Sequence, residues 1–394
     1  MATVVIKPRR AKPFYFRHPW VFSGAIERIE GDFAEGDLVD VADADGKFIG
    51  RGFINSRSQI VVRLLTWDRD EPVDRGFFER RVAAARALRE DVLGLAGPDD
   101  ACRLIFSESD WLPGLIVDRY GAWLVIQVAS VGMSLRLEMV LDVLEQALHP
   151  AGIYRRTIEG AAEREGLPVV NAVARGQEPP DAIRVKIDGL DFLANVKHGQ
   201  KTGLYLDQRA NRRVVARLAS GRSVFDGFTY TGGFAMAAVR GGAKSVVAVD
   251  SSPQAIEAGR RNAELNGLAS IEFVQADVIE TLRGHARSGR RFDLVILDPP
   301  KLARSSAHVR RASARYRELN AAALRGLGEG GLLVTFSCSQ HVHEDAFESF
   351  VNEAACEAGR VVQTLERLGQ APDHPVIASC PETRYLKGLV CRSL

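Results

Sequence analysis

The chain changes its hydrophobic rhythm twice. Over roughly the first 70 residues, apolar positions come in short runs broken by turn formers, the habit of strands. Residues 37–41 and 48–53 flank Ala42-Asp43-Ala44-Asp45-Gly46-Lys47, which reads as a hairpin turn, and residues 60–65 supply another strand. From 75 to about 90 the spacing turns helical, with Phe77, Phe78, Val82, Ala85 and Leu88 on one side. Strand-like runs over 101–106, 114–118 and 123–128 follow, then a helix over 135–148 stopped by His149-Pro150. Arg175-Gly176-Gln177-Glu178-Pro179-Pro180 reads as a linker.

Beyond residue 223 the alternation becomes regular. A strand over 223–225 leads through a Gly-rich turn into a helix over 234–240. A strand over 245–249 precedes a helix with Ser252 as N-cap, Pro253 in its first turn and Asn266-Gly267 as its stop. Further strands are predicted over 271–274, 294–297 and 332–336, with helices between. Strand and helix in strict turn predict an α/β fold, a doubly wound parallel sheet of Rossmann type. The expected division is a small β domain over 1–72, a central α+β domain over 73–180 and the doubly wound domain over 181–394.

Composition agrees with a soluble globular chain: 46% hydrophobic and 26% charged residues among 394. The net charge of +2 gives no global basic field, but its distribution is uneven. Residues 1–20 hold Lys7, Arg9, Arg10, Lys12 and Arg17 and no acid; residues 301–317 hold Lys301, Arg304, Arg310, Arg311, Arg315 and Arg317 and again no acid. Such runs are commonly solvated helix faces, but beside a reacting edge they suit a phosphate backbone. The five cysteines are scattered, with no CxxC, which argues against a disulfide framework or a zinc ribbon. No apolar stretch approaches the ~18 residues of a membrane span, and the basic N-terminus lacks an apolar signal core. A cytoplasmic protein without a membrane anchor is expected.

Candidate chemistry gathers at predicted strand ends, where a parallel sheet opens its ligand crevice. The first turn, Asp226-Gly227-Phe228-Thr229-Tyr230-Thr231-Gly232-Gly233, departs from GxGxxG and so lacks a pyrophosphate cradle. S-adenosylmethionine has no pyrophosphate and needs an open turn with an acid near its charged methionine portion. Asp226, Phe228, Thr231 and Gly232 are its candidate contacts. Asp250, 24 residues after Asp226, ends the next strand and suits the ribose hydroxyls; Asp277 ends the third and suits the adenine amino group. One acid at a strand end is often a helix cap; three in succession point to a cofactor.

The reacting side is read from Asp298-Pro299-Pro300-Lys301 and Ser337-Cys338-Ser339. Two prolines fix the backbone past the strand, and Lys301 stands where adenine-N6 enzymes place a stacking aromatic. A carboxyl and a thiol at neighbouring strand ends suit methylation of cytosine carbon 5, which needs a thiolate to add at carbon 6 first. Cys338 is the candidate nucleophile and Asp298 the acid that grips the N3/N4 edge; no base is identified. His341 and His343 alternate as in a strand, but a metal site would need a third ligand, and none is predicted.

Taken together these residues resemble the bacterial class I ribosomal RNA large-subunit methyltransferase I family, which makes 5-methylcytosine in 23S rRNA. His18-Pro19-Trp20-Val21-Phe22-Ser23 is similar to the start of its PUA domain, and Phe106 through Leu115 to its central domain. Gly199-Gln200-Lys201-Thr202-Gly203-Leu204-Tyr205-Leu206-Asp207-Gln208-Arg209 is similar to its motif before the sheet. The resemblance implies that Lys201, Gly203, Asp207 and Arg209 line the cofactor pocket, with Asp298 at its edge. It implies that Pro299, Lys301, Arg17 and Trp20 meet the RNA. Large-subunit ribosomal RNA is the implied partner, and a homodimer the implied assembly. Leu302 departs from the Phe common at that position. Two alternatives stay open: a guanine N7 or N2 methyltransferase in which Cys338 is incidental, and a non-catalytic RNA-binding ribosome assembly factor.

Overall fold

The computed structural model describes residues 1–303 and 308–394, which divide into two compact units. Met1–Val185, Ala194–Leu206 and Pro372–Thr383 make the first; Lys186–Leu193, Asp207–Ala371 and Arg384–Leu394 make the second. Arg304 of the basic run lies outside the described residues.

The first unit holds two sheets. Six strands are ordered Trp20–Phe22, Ile60–Thr66, Phe48–Ile54, Leu38–Ala42, Thr3–Ile6, Ile26–Glu30. The expected hairpin pairs Leu38–Ala42 with Phe48–Ile54, and Asp43 closes its turn by accepting from the backbone N–H of Asp45 (3.0 Å) and Lys47 (2.9 Å). Alternate residues Val4, Ile6, Val39, Val41, Val62 and Leu64 turn inward to one core.

Five strands form the other sheet, ordered Ala172–Gly176, Gly152–Arg155, Trp123–Val128, Leu115–Tyr120, Ala101–Phe106. Helices Arg75–Ala87 and Leu137–Leu148 contribute Phe77, Phe78, Val82, Leu141 and Leu144 to the same core as Val117 and Ile126. Asp74 caps the first helix, accepting from Phe77 N–H at 3.0 Å. That helix stops at Ala87 and passes into one wider turn, Leu88–Val92, instead of running to 90. The expected linker needs correcting too: Arg175 and Gly176 end a strand, their backbone groups paired to Ile153 and Gly152. Polar composition disguised that pairing.

Charges buried in this unit are matched. Arg89, with no exposed surface, reaches Asp110 with two bonds (2.6 and 2.9 Å) and also donates to the carbonyls of Arg103 and Asp373, both at 2.8 Å. Residues 372–383 are thus tied to a unit that is otherwise built from the other end of the chain.

The second unit is the doubly wound domain. In chain order its elements are α1 (Arg209–Leu218), β1 (Ser223–Gly227), α2 (Gly233–Arg240), β2 (Ser245–Asp250), α3 (Pro253–Leu265), β3 (Ile271–Gln275), α4 (Val278–Arg287), β4 (Phe292–Leu297), α5 (Val309–Gly326), β5 (Leu327–Ser337), α6 (Glu344–Glu357), β6 (Val362–Gly369) and β7 (Lys387–Ser393). The sheet order is β3-β2-β1-β4-β5-β7-β6, parallel through β5. β7, slotted between β5 and β6, runs antiparallel to both. The order reverses between β1 and β4, which opens a crevice at the carboxyl ends of those strands. Buried Val247, Val295, Leu297, Leu333 and Leu389 of the sheet share a core with Leu282, Tyr316, Leu319, Phe347 and Val351 of its helices. Parallel strands covered on both faces read as continuous apolar runs, as these do.

His341 and His343 do not alternate along a strand as expected. β5 ends at Ser337, so His341 lies in the following turn and His343 precedes α6 as its N-cap residue. Among the described residues no helix is long and apolar enough to cross a membrane.

Candidate active site

The crevice begins with Asp226. β1 carries it into the interior, where it has no exposed surface. Its Oδ2 accepts from the Thr229 hydroxyl (2.5 Å) and from Ala235 N–H (3.0 Å). Its Oδ1 is buried and has no hydrogen-bond partner among the described residues. Burial pushes the carboxyl up to about 7, helped by the charges of Asp298 and Asp250. A buried acceptor left unsatisfied costs ~1–3 kcal/mol. Such a group suits a ligand that brings an N–H donor and positive charge together, and the aminium of S-adenosylmethionine brings both.

The turn beyond it is strained. Phe228 (φ 64°) and Tyr230 (φ 49°) both occupy the left-handed region, which side chains bearing a Cβ avoid. It is held by Thr229 N–H on Val249 O (3.1 Å) and Tyr230 N–H on Asp250 Oδ2 (3.0 Å). Gly232 (φ 79°) enters α2 where a Cβ would meet the Phe273 ring at 3.3 Å. Thr231 is buried, and its carbonyl accepts from Asn262 at 3.0 Å. Asp250, half-buried, braces the loops: Oδ1 accepts from Ser252 N–H at 2.9 Å while Oδ2 holds Tyr230. A carboxylate has about four lone-pair sites, so capacity for hydroxyl donors remains. Asp277 caps α4, accepting from Glu280 N–H at 2.9 Å, and half of its side chain is exposed.

On the other side of the reversal point, β4 and β5 are adjacent and parallel with Leu297 opposite Thr335. Asp298 and Cys338 therefore leave neighbouring strands at the same edge, one and three residues beyond that pair. Both are half-buried. Pro299 is buried behind Asp298, while Lys301 is exposed. The serines flanking the thiol are buried and pinned: the Tyr316 hydroxyl lies 2.8 Å from Ser337 Oγ and 3.2 Å from Ser339 Oγ, and Ala303 N–H donates to Ser339 Oγ at 3.1 Å. Tyr316 is raised above the usual phenol range, chiefly by burial, with Cys338 and Asp298 both adding to the shift. The sulfur and the carboxyl therefore act on one hydroxyl.

Asp207 and Arg209 open the second unit, both buried. Asp207 Oδ2 accepts from the Tyr385 hydroxyl at 2.6 Å, and its carbonyl from Ala371 N–H at 2.8 Å. Neighbouring Arg212 is buried against the Phe192 ring; desolvation lowers it, while Asp207 and Asp298 favour its charge.

Four sequence-predicted residues belong to the first unit. Lys201 (φ 51°) sets its ammonium 4.3 Å from the Tyr205 ring centre, and Gly203 takes φ 136°. Arg17 is exposed in a basic stretch with Phe16, a residue 70% exposed. Trp20 is half-buried, and its indole N–H donates to buried Glu108 at 2.7 Å. Also in this unit, His18, Cys380 and Glu382 bring ligand atoms within 4.8 Å of one another, a group that sequence spacing does not reveal; Glu382 accepts from both other residues.

Sequence reasoning missed Tyr316, Tyr385 and Lys387. Nothing in the sequence singles out the last, since its strand carries Arg392 as well as Lys387 around Leu389-Val390-Cys391.

Residues 4–67 match a family model for a PUA-like domain, and residues 170–392 one for S-adenosylmethionine-dependent methyltransferases. The ribosomal RNA large subunit methyltransferase I of Erwinia tasmaniensis is 41% identical over 391 residues, covering 99% of this chain and 98% of that protein. The same-named protein of Escherichia coli O139:H28 is 40% identical over the same shares. The crystal structure of SMU.776 complexed with SAH superposes with a TM-score of 0.86 at 20% identity and full coverage of both chains, a likeness of fold.

Proposed function

Because the chain belongs to the ribosomal RNA large subunit methyltransferase I family and carries an S-adenosylmethionine-dependent methyltransferase domain, we propose that it methylates carbon 5 of a cytosine in large-subunit ribosomal RNA, in the cytoplasm, with Cys338 as nucleophile. The observation that carries this reading is the placing of Cys338 and Asp298 at one edge of adjacent parallel strands, both within influence of Tyr316.

S-adenosylmethionine supplies an electrophilic methyl group. Asp226 binds its aminium, the turn Phe228-Thr231-Gly232 shapes the crevice, and Asp250 accepts from ribose. Asp277 serves the adenine end with the face its capping bond leaves exposed. Asp207 stiffens the wall through Tyr385, and Arg209, Lys201 and Gly203 keep a cofactor role by resemblance alone.

Asp298, its backbone fixed by Pro299, grips the N3/N4 edge of the base. The Cys338 thiolate adds to carbon 6: the S–C bond forms and the ring π pair shifts to carbon 5, which becomes nucleophilic. Once carbon 5 carries the methyl, its proton leaves to a base, the pair returns to the ring and the S–C bond breaks. On the second unit Lys301 is assigned to the phosphate backbone; on the first, the exposed cations from Lys7 to Arg17 are, and Trp20 keeps an RNA role by resemblance alone.

The test is RNA in which the target cytosine is 5-fluorocytosine. The native enzyme forms a stable protein–RNA adduct, and Cys338→Ala forms none and makes no 5-methylcytosine by nucleoside mass spectrometry. Full methylation by Cys338→Ala would overturn the reading in favour of a guanine nitrogen.

A further inference from the structure

Lys387 is 6% exposed at the head of β7, between β5 and β6. It stands opposite Ser337 in the antiparallel register, yet its ammonium ends 2.7 Å from the carbonyl oxygen of Ser339. The side chain therefore runs from the level of residue 337 to that of 339, past Cys338.

That carbonyl is its one hydrogen-bond partner among the described residues, and no carboxylate oxygen lies within 4.0 Å of the nitrogen. A buried ammonium satisfied by a single neutral acceptor is costly. Burial pulls Lys387 down to about 8; Cys338 is the first group to oppose that, then Glu344, while Lys301 adds to it. From α6, Glu344 is itself engaged by Arg384 at 3.2 Å. From β6, the register partner Gly369 brings no charge. Tyr316 on α5 bonds both serines of the sulfur-bearing loop, and Cys338 and Asp298 after β4 both act on its hydroxyl. If only the Ser339 carbonyl mattered, an uncharged donor would serve.

We propose that Lys387 is a positioning residue for the methyl transfer, its ammonium the counter-charge that holds Cys338 as a thiolate. This rests on the reading of Cys338 as nucleophile. When the sulfur's electron pair enters the S–C6 bond, the ammonium loses its counter-charge. When that bond breaks the pair returns to sulfur and the thiolate re-forms opposite Lys387. No proton moves at Lys387, so it is not the base that takes the carbon 5 proton.

The test is carbamidomethylation of Cys338 in the intact protein across pH, resolved from exposed Cys356 by peptide mass spectrometry. In the native protein the rate inflects below the ordinary thiol value of ~8.5. Lys387→Met moves the inflection up by about one pH unit or more and slows alkylation at pH 7 about tenfold, while Lys387→Arg restores most of the rate. Cofactor binding by each variant shows that it is folded. Superimposable profiles for Lys387→Met and the native protein would overturn the proposal. So would a native profile in Lys387→Gln, which keeps a donor but no charge. The fluorocytosine adduct separates the two claims: an adduct with an unmoved profile removes Lys387 alone, and an active Cys338→Ala removes both.

Discussion

The hydroxyl of Tyr316, on α5, sits 2.8 Å from that of Ser337, at the end of β5, inside a site where neither group meets solvent. With Ser339 as second partner, this contact fixes the backbone on both sides of Cys338. Tyr316→Phe leaves two buried hydroxyls short of a partner, each loss worth ~1 kcal/mol. The expected result is a kcat lower by about ten- to a hundredfold with an unchanged cofactor Kd, read by single-turnover methylation and calorimetry. Equal loss of both would make Tyr316 a general packing residue.

Asp298→Ala is expected to abolish turnover while largely sparing cofactor binding, because its half-buried carboxyl is proposed to grip the base and not the cofactor. Calorimetry alongside methylation of a large-subunit RNA fragment checks this. Parallel loss of both would move Asp298 to the cofactor side.

As the proposed partner of the cofactor's aminium, Asp226 is expected to make cofactor affinity depend on pH. Its folded value, about 7, lies above the unfolded 3.8. Below about 7 the cofactor's cation must expel a proton to gain a carboxylate partner, so binding tightens about tenfold per pH unit up to 7 and flattens above it. The same shift sets a stability slope. The folded state holds the extra proton between 3.8 and about 7, so this group's contribution is greatest below 3.8 and falls by on the order of 4 kcal/mol as pH rises through 7. Asp226→Asn should remove both trends, measured by calorimetry and by urea unfolding at pH 5 and 7.5. A native slope in the variant would assign the titration elsewhere.

Arg89 and Asp110 test the first unit. Asp110→Ala strands a guanidinium that has no exposed surface and should cost about 3–5 kcal/mol. Arg89→Met with Asp110→Leu should recover most of that. Urea midpoints decide it; a loss under about 1 kcal/mol would mean water reaches the site.

Arg17 and Trp20 should separate. Arg17 is exposed, so Arg17→Glu should weaken RNA binding, lower its salt dependence and leave the melting temperature alone. Trp20 donates to buried Glu108, so Trp20→Phe should lower stability by about 1 kcal/mol. An RNA defect without destabilisation in Trp20→Phe would restore it to the interface.

Much of the second unit was legible because parallel strands buried on both faces read as plain apolar runs ending in Asp250 or Asp298. Asp-Pro-Pro and Ser-Cys-Ser could be placed at one edge once those strands were paired. What stayed hidden depends on distant partners. Lys387 looks like any basic residue until β7 is slotted beside β5. Arg175 and Gly176 look like a linker until Gly152 and Ile153 pair with them. The alternation of His341 and His343 misled because the strand before them stops at Ser337.

The return of residues 372–383 to the first unit bears on how the protein is best dissected. Cutting after Leu206 would leave an N-terminal fragment that carries Lys186–Leu193 of the second unit and in which Arg89 lacks the Asp373 carbonyl, and a C-terminal fragment with twelve orphaned residues. Anyone wishing to study the halves apart would do better to add that dodecamer in trans, or to splice it onto the N-terminal piece, than to trust a single scission point.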